Sequence, residues 1–227
     1  GGGAGMALAE WIANGQPPYD LWPVDIRRFG KPHQDLEWVR KRTYEAYAKH
    51  YTMAWPFEEH SSGRPCQQSP IYENLKNANA CFGEKLGWER PNWFAPKSME
   101  PVDHYTYDRQ NWFEIVGEEV KATREKAVLI DQTSFAKFEI SGPQALDALE
   151  YLCANNINKG IGSTIYTQML NNHGGIECDV TITRIEDDCF YLVTGTGFMT
   201  HDFDWIKSNL TEFPDVKIEN VTYQNSV

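Results

Sequence analysis

Three alternating runs constrain this chain more than any other feature. Residues 164–170, 176–185 and 189–194 each interleave apolar and polar side chains. That period turns one face of a strand inward and the other toward solvent. NNHGG and EDD separate the runs, and neither spacer is long enough for the crossover that parallel strands need. The runs therefore predict an antiparallel meander. Just upstream, FAKFEIS sets Ala136, Phe138 and Ile140 against Lys137, Glu139 and Ser141, a further half-buried strand. GPQALDALEYLCANN reads as a helix with Pro143 in its first turn and Leu146, Leu149 and Cys153 inward. A helix over 198–210 follows GTG, with Met199, Phe203, Ile206 and Leu210 on its core side. GEEVKATREKA reads as a polar surface helix, and the closing DVKIENVTYQNSV alternates as a strand. From about residue 113 onward the expectation is an α+β fold of antiparallel strands and packed helices.

The first half has another texture. Seven of the eight tryptophans lie at or before residue 112, among prolines and short irregular runs. One helix stands out, about Asp35 to Tyr51, with Asp35 as N-cap and Leu36, Val39, Thr43 and Tyr47 on one face. The opening GGGAGMALAEWIANG reads as a glycine-rich turn leading into a helix. Leu8, Trp11 and Ile12 share a face of it, and Asn14-Gly15 and Pro17-Pro18 stop it. Such a turn makes sense after a strand, so the chain reads as a piece of a longer polypeptide.

Composition excludes several classes of function. With 21 basic against 32 acidic residues the net charge is −11, which argues against a nucleic-acid or anionic-membrane binder. Apolar residues make up 41% and aromatics 13%, enough for a packed core. No apolar stretch is long enough to span a bilayer, and no signal-peptide pattern is visible. Cysteines 66, 81, 153, 178 and 189 are odd in number and form no CxxC, so neither a zinc site nor a disulfide framework is expected. A reducing compartment fits them better. The six histidines show no HxxxH or HExxH spacing, and no metal site is expected. Sequons at Asn209 and Asn220 read as chance matches, and no GxSxG or P-loop occurs.

Two features remain as candidate sites. The opening glycines offer a helix N-terminus to an electron-rich ligand, or simply a turn; they do not fit GxGxxG. In IECDVTITR the polar set Glu177, Asp179, Thr181 and Thr183 lies opposite Ile176, Cys178, Val180 and Ile182. Asp179 is either part of a solvated face or a carboxylate in a cleft, placed to accept an N–H or move a proton. The alternation does not choose.

Longer strings carry a resemblance. GGAGMALAEWIANGQPPYDLWPVDIRRFG is similar to the end of the flavin domain in the dimethylglycine and sarcosine dehydrogenase family. GRPCQQSPIYENLKNANACFGEKLGWERPNWFAP resembles the middle domain of that family. NWFEIVGEEVKATREKAVLIDQTSFAKFEISGPQALDALEYLCANNINKG enters a domain similar to the glycine-cleavage aminomethyltransferase. YTQMLNNHGGIECDVTITRIEDDCFYLVTGTG resembles its folate-binding core. The resemblance implies residues 1–30 as the end of a flavin domain, 31–112 as a middle domain and 113–227 as the first part of a folate domain. It implies FAD and tetrahydrofolate as cofactors and a small N-methyl amine as substrate, with an electron-transfer flavoprotein as a possible partner. Either the bacterial cytoplasm or the mitochondrial matrix would be the compartment.

The resemblance also implies roles for single residues. Asp179 would contact the pterin and assist at the reacting nitrogen. Tyr166 would line the same pocket, and Thr194 and Gly195 would meet the folate at a strand end. Gly195 departs from the aminomethyltransferase pattern, which has Asn there. Phe135 is a further pocket-wall position. Gly2, Gly3, Ala4 and Gly5 would lie near the flavin. Read alone, the chain is expected to be inactive and colourless. The same architecture also resembles a non-catalytic regulatory subunit of pyruvate dehydrogenase phosphatase. A folate-dependent aminomethyltransferase module is the third reading.

Overall fold

A computed structural model describes residues 1–226. The three alternating runs form β4 (Thr164–Leu170), β5 (Ile176–Glu186) and β6 (Cys189–Thr194). They pair antiparallel in sequence order, as their short turns require. Two further strands extend the sheet beyond β6. FAKFEIS gives β3 (Ala136–Ser141), and β7 (Lys217–Asn220) closes the order β4-β5-β6-β3-β7. The pairings of β3 are antiparallel as well.

Helices α5 (Ala145–Leu152) and α6 (Met199–Asn209) cover one face of this sheet. Ala136, Phe138, Ile140, Val180, Phe190 and Leu192 pack there against Ala145, Leu149, Leu152 and Ile206. Apolar burial of this kind is the main favourable term holding sheet and helices together.

A second, two-stranded sheet pairs β1 (Ala80–Lys85) with β2 (Trp88–Phe94), with a register shift at Cys81/Phe82. Short helix α3 (Tyr72–Asn77) precedes it. Helix α4 (Phe113–Glu125) lays Trp112, Ile115 and Val116 over Cys81, Trp93 and Ala95.

At the front, α1 (Gly2–Asn14) ends at Gly15, whose φ of 75° is the left-handed conformation that glycine adopts without strain. The opening glycines are themselves helical, not a turn. Helix α2 (Leu36–Lys49) is capped as expected, Asp35 accepting from the N–H groups of Glu37 and Trp38. Its packed side differs from the expected one. Leu36, Thr43 and Tyr47 are exposed, Leu36 at 82%, and the partly buried positions are Trp38, Val39, Arg42, Glu45 and Lys49.

The segment between α1 and α2 docks on α6. Arg27 bridges Asp25 and Asp204 at 2.6 and 2.7 Å. Thr200 Oγ1 donates to the Arg28 carbonyl, and Trp22 stands edge-on to His201. Tyr223 is stacked on Trp88 and lies under the Lys31 ammonium. Among the described residues, no helix is long and apolar enough to cross a membrane.

Candidate functional site

The face of the five-stranded sheet turned away from the core carries the site. Strand register sets it: Tyr166 stands opposite Thr181, and Gln168 opposite Asp179. Because side chains alternate, these four residues project from the same face. Asp179 is exposed, as the polar half of the alternation requires, while Cys178 and Val180 on either side of it are buried. Gln168 Nε2 donates to Asp179 Oδ1 at 3.0 Å. Asp179 also pushes the Tyr166 hydroxyl above its ordinary pKa, first through hydrogen bonding and then through its charge. A phenol is protonated at neutral pH and able to donate. One carboxylate, one amide and one phenol thus converge on an open surface. That donor set suits a flat, nitrogen-rich ring that presents N–H groups to the carboxylate and a π face to Tyr166.

The structure does not bring every expected residue to this surface. Thr194 pairs with Val180, not with Asp179, so its side chain points to the core face. There its hydroxyl donates to Asp202 Oδ2 at 2.5 Å. The parity was readable: Phe190 and Leu192 point inward, so the residue two further on does too. Gly195 ends the strand, and a Cβ there would lie 3.2 Å from the Phe198 ring. Phe135 is half-buried just before β3. Gly2, Gly3, Ala4 and Gly5 lie on α1, a separate element. The space beside these three glycines is open, with nothing within 4 Å of an added Cβ, so a flat ring could approach that backbone.

Behind the sheet lies a cluster that spacing could not reveal. Cys178, His201 and Asp202 place their side-chain donor atoms within 4.8 Å of one another. His201 Nδ1 meets Asp202 Oδ1 at 2.8 Å, and its Nε2 lies 3.6 Å from Glu177 Oε2. The bond to Asp202 and the charges of Asp202, Glu177 and Asp20 raise the His201 pKa against the effect of burial. Burial pushes the Cys178 thiol up as well, so it remains a thiol. Both Asp202 oxygens already have partners, Thr194 and His201. His201 and Cys178 come from different elements, and no motif joins them.

Comparison with known proteins places the chain in a family. Residues 71–227 match the GCVT N-terminal domain, and residues 14–69 match the FAD dependent oxidoreductase central domain. The chain is 40% identical over 192 residues to 4-methylaminobutanoate oxidase (formaldehyde-forming) of Paenarthrobacter nicotinovorans, covering 85% of this chain and 23% of that protein. It is 34% identical to the mitochondrial pyruvate dehydrogenase phosphatase regulatory subunit of Mus musculus, covering 99% of this chain and 26% of that protein. Identity to mitochondrial sarcosine dehydrogenase of Mus musculus is 33%, covering 93% of this chain and 27% of the relative. The chain thus spans about a quarter of the length of these relatives. Among solved structures, the glycine cleavage system aminomethyltransferase T of Bartonella henselae superposes with a TM-score of 0.56 at 25% identity, over 69% of this chain and 38% of that one. The chain belongs to the GCVT N-terminal domain family, here joined behind an FAD-dependent oxidoreductase central domain, and is related to the N-methyl amino acid dehydrogenases.

Proposed function

We propose that the protein is part of a flavin-dependent dehydrogenase that demethylates an N-methylated glycine, dimethylglycine or sarcosine, and passes the one-carbon unit to tetrahydrofolate. The observation that carries the reading is the Asp179 carboxylate, exposed on a rigid strand beside Gln168 and Tyr166. FAD, when bound, supplies the two-electron oxidation of the N-methyl group. The glycine-rich first turns of α1, Gly2 to Gly5, are the part of this chain that would lie near it. Asp179 would accept an N–H of the folate ring and take up the proton released as the ring nitrogen gains its new carbon bond. Gln168 would hold the carboxylate in position, and Tyr166 would form a side wall. Thr194 would contribute only through its backbone, together with Gly195 where β6 ends. A strand holds such a carboxylate more rigidly than a loop would.

Asp179→Asn in the full-length protein tests this. Formation of 5,10-methylenetetrahydrofolate is expected to fall about 10²-fold or more, the usual scale for loss of a general acid–base group. Flavin reduction by the amine is expected to continue at the parent rate. Equal loss of both activities would refute a separate role for Asp179.

A second reading, a non-catalytic regulatory subunit, draws on the relative that aligns with 99% of the chain. Anaerobic mixing of the full-length protein with dimethylglycine or sarcosine separates the two. Bleaching of the flavin supports the enzyme, and an unchanged spectrum supports the regulator. The compartment follows the relatives: mitochondrial matrix in an animal source, cytoplasm in a bacterial one.

A further inference from the structure

The cluster behind the sheet brings three kinds of donor to one point. Cys178 packs from β5 into the core, while His201 and Asp202 stand in the first turn of α6. One donor atom from each lies within 4.8 Å of the others. Cys178 and Asp202 are each only 1% exposed, and His201 is partly exposed.

The charge here is out of balance. A buried carboxylate is normally paired with a cation or bound to a metal. Among the described residues, the one charged partner of Asp202 is His201. Glu177 and Asp20 add further negative charge around that ring. The nearby Arg27 is committed to Asp25 and Asp204.

The surroundings hold these side chains as the outer shell of a metal site does. In such sites the ligating histidine turns its other nitrogen to a carboxylate, and a ligating carboxylate is hydrogen-bonded in turn. Both features are present. His201 directs Nδ1 at Asp202 Oδ1, 2.8 Å away, and its Nε2 faces Glu177 Oε2 at 3.6 Å. Asn171 Nδ2 steadies Glu177, donating to its Oε1 at 2.8 Å. The Thr194 hydroxyl donates to Asp202 Oδ2, which leaves Oδ1 turned to the imidazole. In the metal-free chain a proton sits between Nδ1 and Oδ1. A divalent ion would take its place and meet Cys178 Sγ on a third side.

The donor set selects the ion. Magnesium and calcium prefer oxygen alone. Zinc accepts sulfur, nitrogen and oxygen together, at about 2.0–2.3 Å, and small rotations of the Cys178 and His201 side chains would reach that distance. The bound ion would displace the thiol proton to solvent.

We propose that Cys178, His201 and Asp202 form a zinc site that ties β5 to α6, with Glu177 and Thr194 holding the ligands and water in the fourth position. The ion would stiffen the strand that carries Asp179. The inference does not rest on the folate reading, since its readout is metal content and coordination.

The test strips the full-length protein with a chelator, reloads it with zinc chloride and desalts it. Zinc is counted by mass spectrometry, and X-ray absorption reads its ligands. The parent should keep one equivalent more than Cys178→Ala, and that extra zinc should show a sulfur neighbour at about 2.3 Å. Glu177→Gln, which keeps a hydrogen-bonding oxygen but not the charge, should weaken zinc binding about tenfold or more in chelator competition. Should Cys178→Ala misfold, His201→Gln, at a partly exposed position, gives the same comparison. The proposal is overturned if the parent retains no zinc. Equal zinc in the parent and in a variant with unaltered circular dichroism, or an extra zinc without a sulfur neighbour, overturns it too.

Discussion

His201 stands between two carboxylates and against the edge of Trp22. Its raised pKa has a definite consequence for stability. The folded chain holds the imidazolium more tightly than the unfolded chain does. The added stability is therefore complete below the unfolded value, near 6.5. It is lost as pH rises through the higher folded value. Urea midpoints measured at about pH 6 and about pH 8 should drop more in the parent than in His201→Gln. The paired variant is necessary because His33 is shifted the other way by burial and contributes the opposite slope. A parent and variant with the same slope would contradict this account. Lys137 marks the limit of reading residues from the sequence. Alternation in FAKFEIS assigns it to solvent, yet it is fully buried, with Nζ donating to the Thr133 carbonyl. The loop before β3 and Thr222 after β7 close over that end of the polar face. A period-two pattern reports one covered face and cannot report a loop folding over the other. Asp179 is the converse. Its side of the strand was legible, but its neighbours depended on the β4–β5 register.

The elements were legible in proportion to how local their causes are. The meander and the Asp35 cap came from residues within one turn of each other, and they stand where the spacing put them. The packed side of α2 did not, because an apolar stripe does not hold that helix. Arg42 reaches Glu84 and the Ser62 carbonyl, and Glu45 accepts from the N–H groups of Ser61 and Ser62. Burial works to raise the Glu45 pKa, but hydrogen bonds from Lys49, Ser61 and Ser62 hold it well below the usual carboxylate range. Charged anchors of this kind leave no hydrophobic period to find. The turn out of β3 shows how little freedom one connection can have. Gly142 has φ 123°, and a Cβ there would lie 2.0 Å from the Asp215 carbonyl oxygen. Gly142→Ala should therefore cost about 2 kcal/mol or more in chemical denaturation. A loss within experimental error of zero would show that this turn can rearrange.

At the scale of the molecule, the sheet order was only half readable. Consecutive strands pair through short turns, but β7 reaches β3 across most of the domain, and that partnership depends on long-range packing. The two family matches meet near residue 70, whereas the compositional change falls near 113. Neither point is a gap in the structure. Arg42 joins α2 to β1, Gln67 pairs with the backbone of β2, and Arg27 and Thr200 fasten the front of the chain to α6. Front and back thus share one set of fastenings, which include the Lys31–Tyr223–Trp88 stack. A protease that nicks the exposed loop at Lys97 would cut the covalent path and leave those fastenings whole. The two pieces should then travel together through gel filtration and part only in denaturant, as the halves of a split protein do.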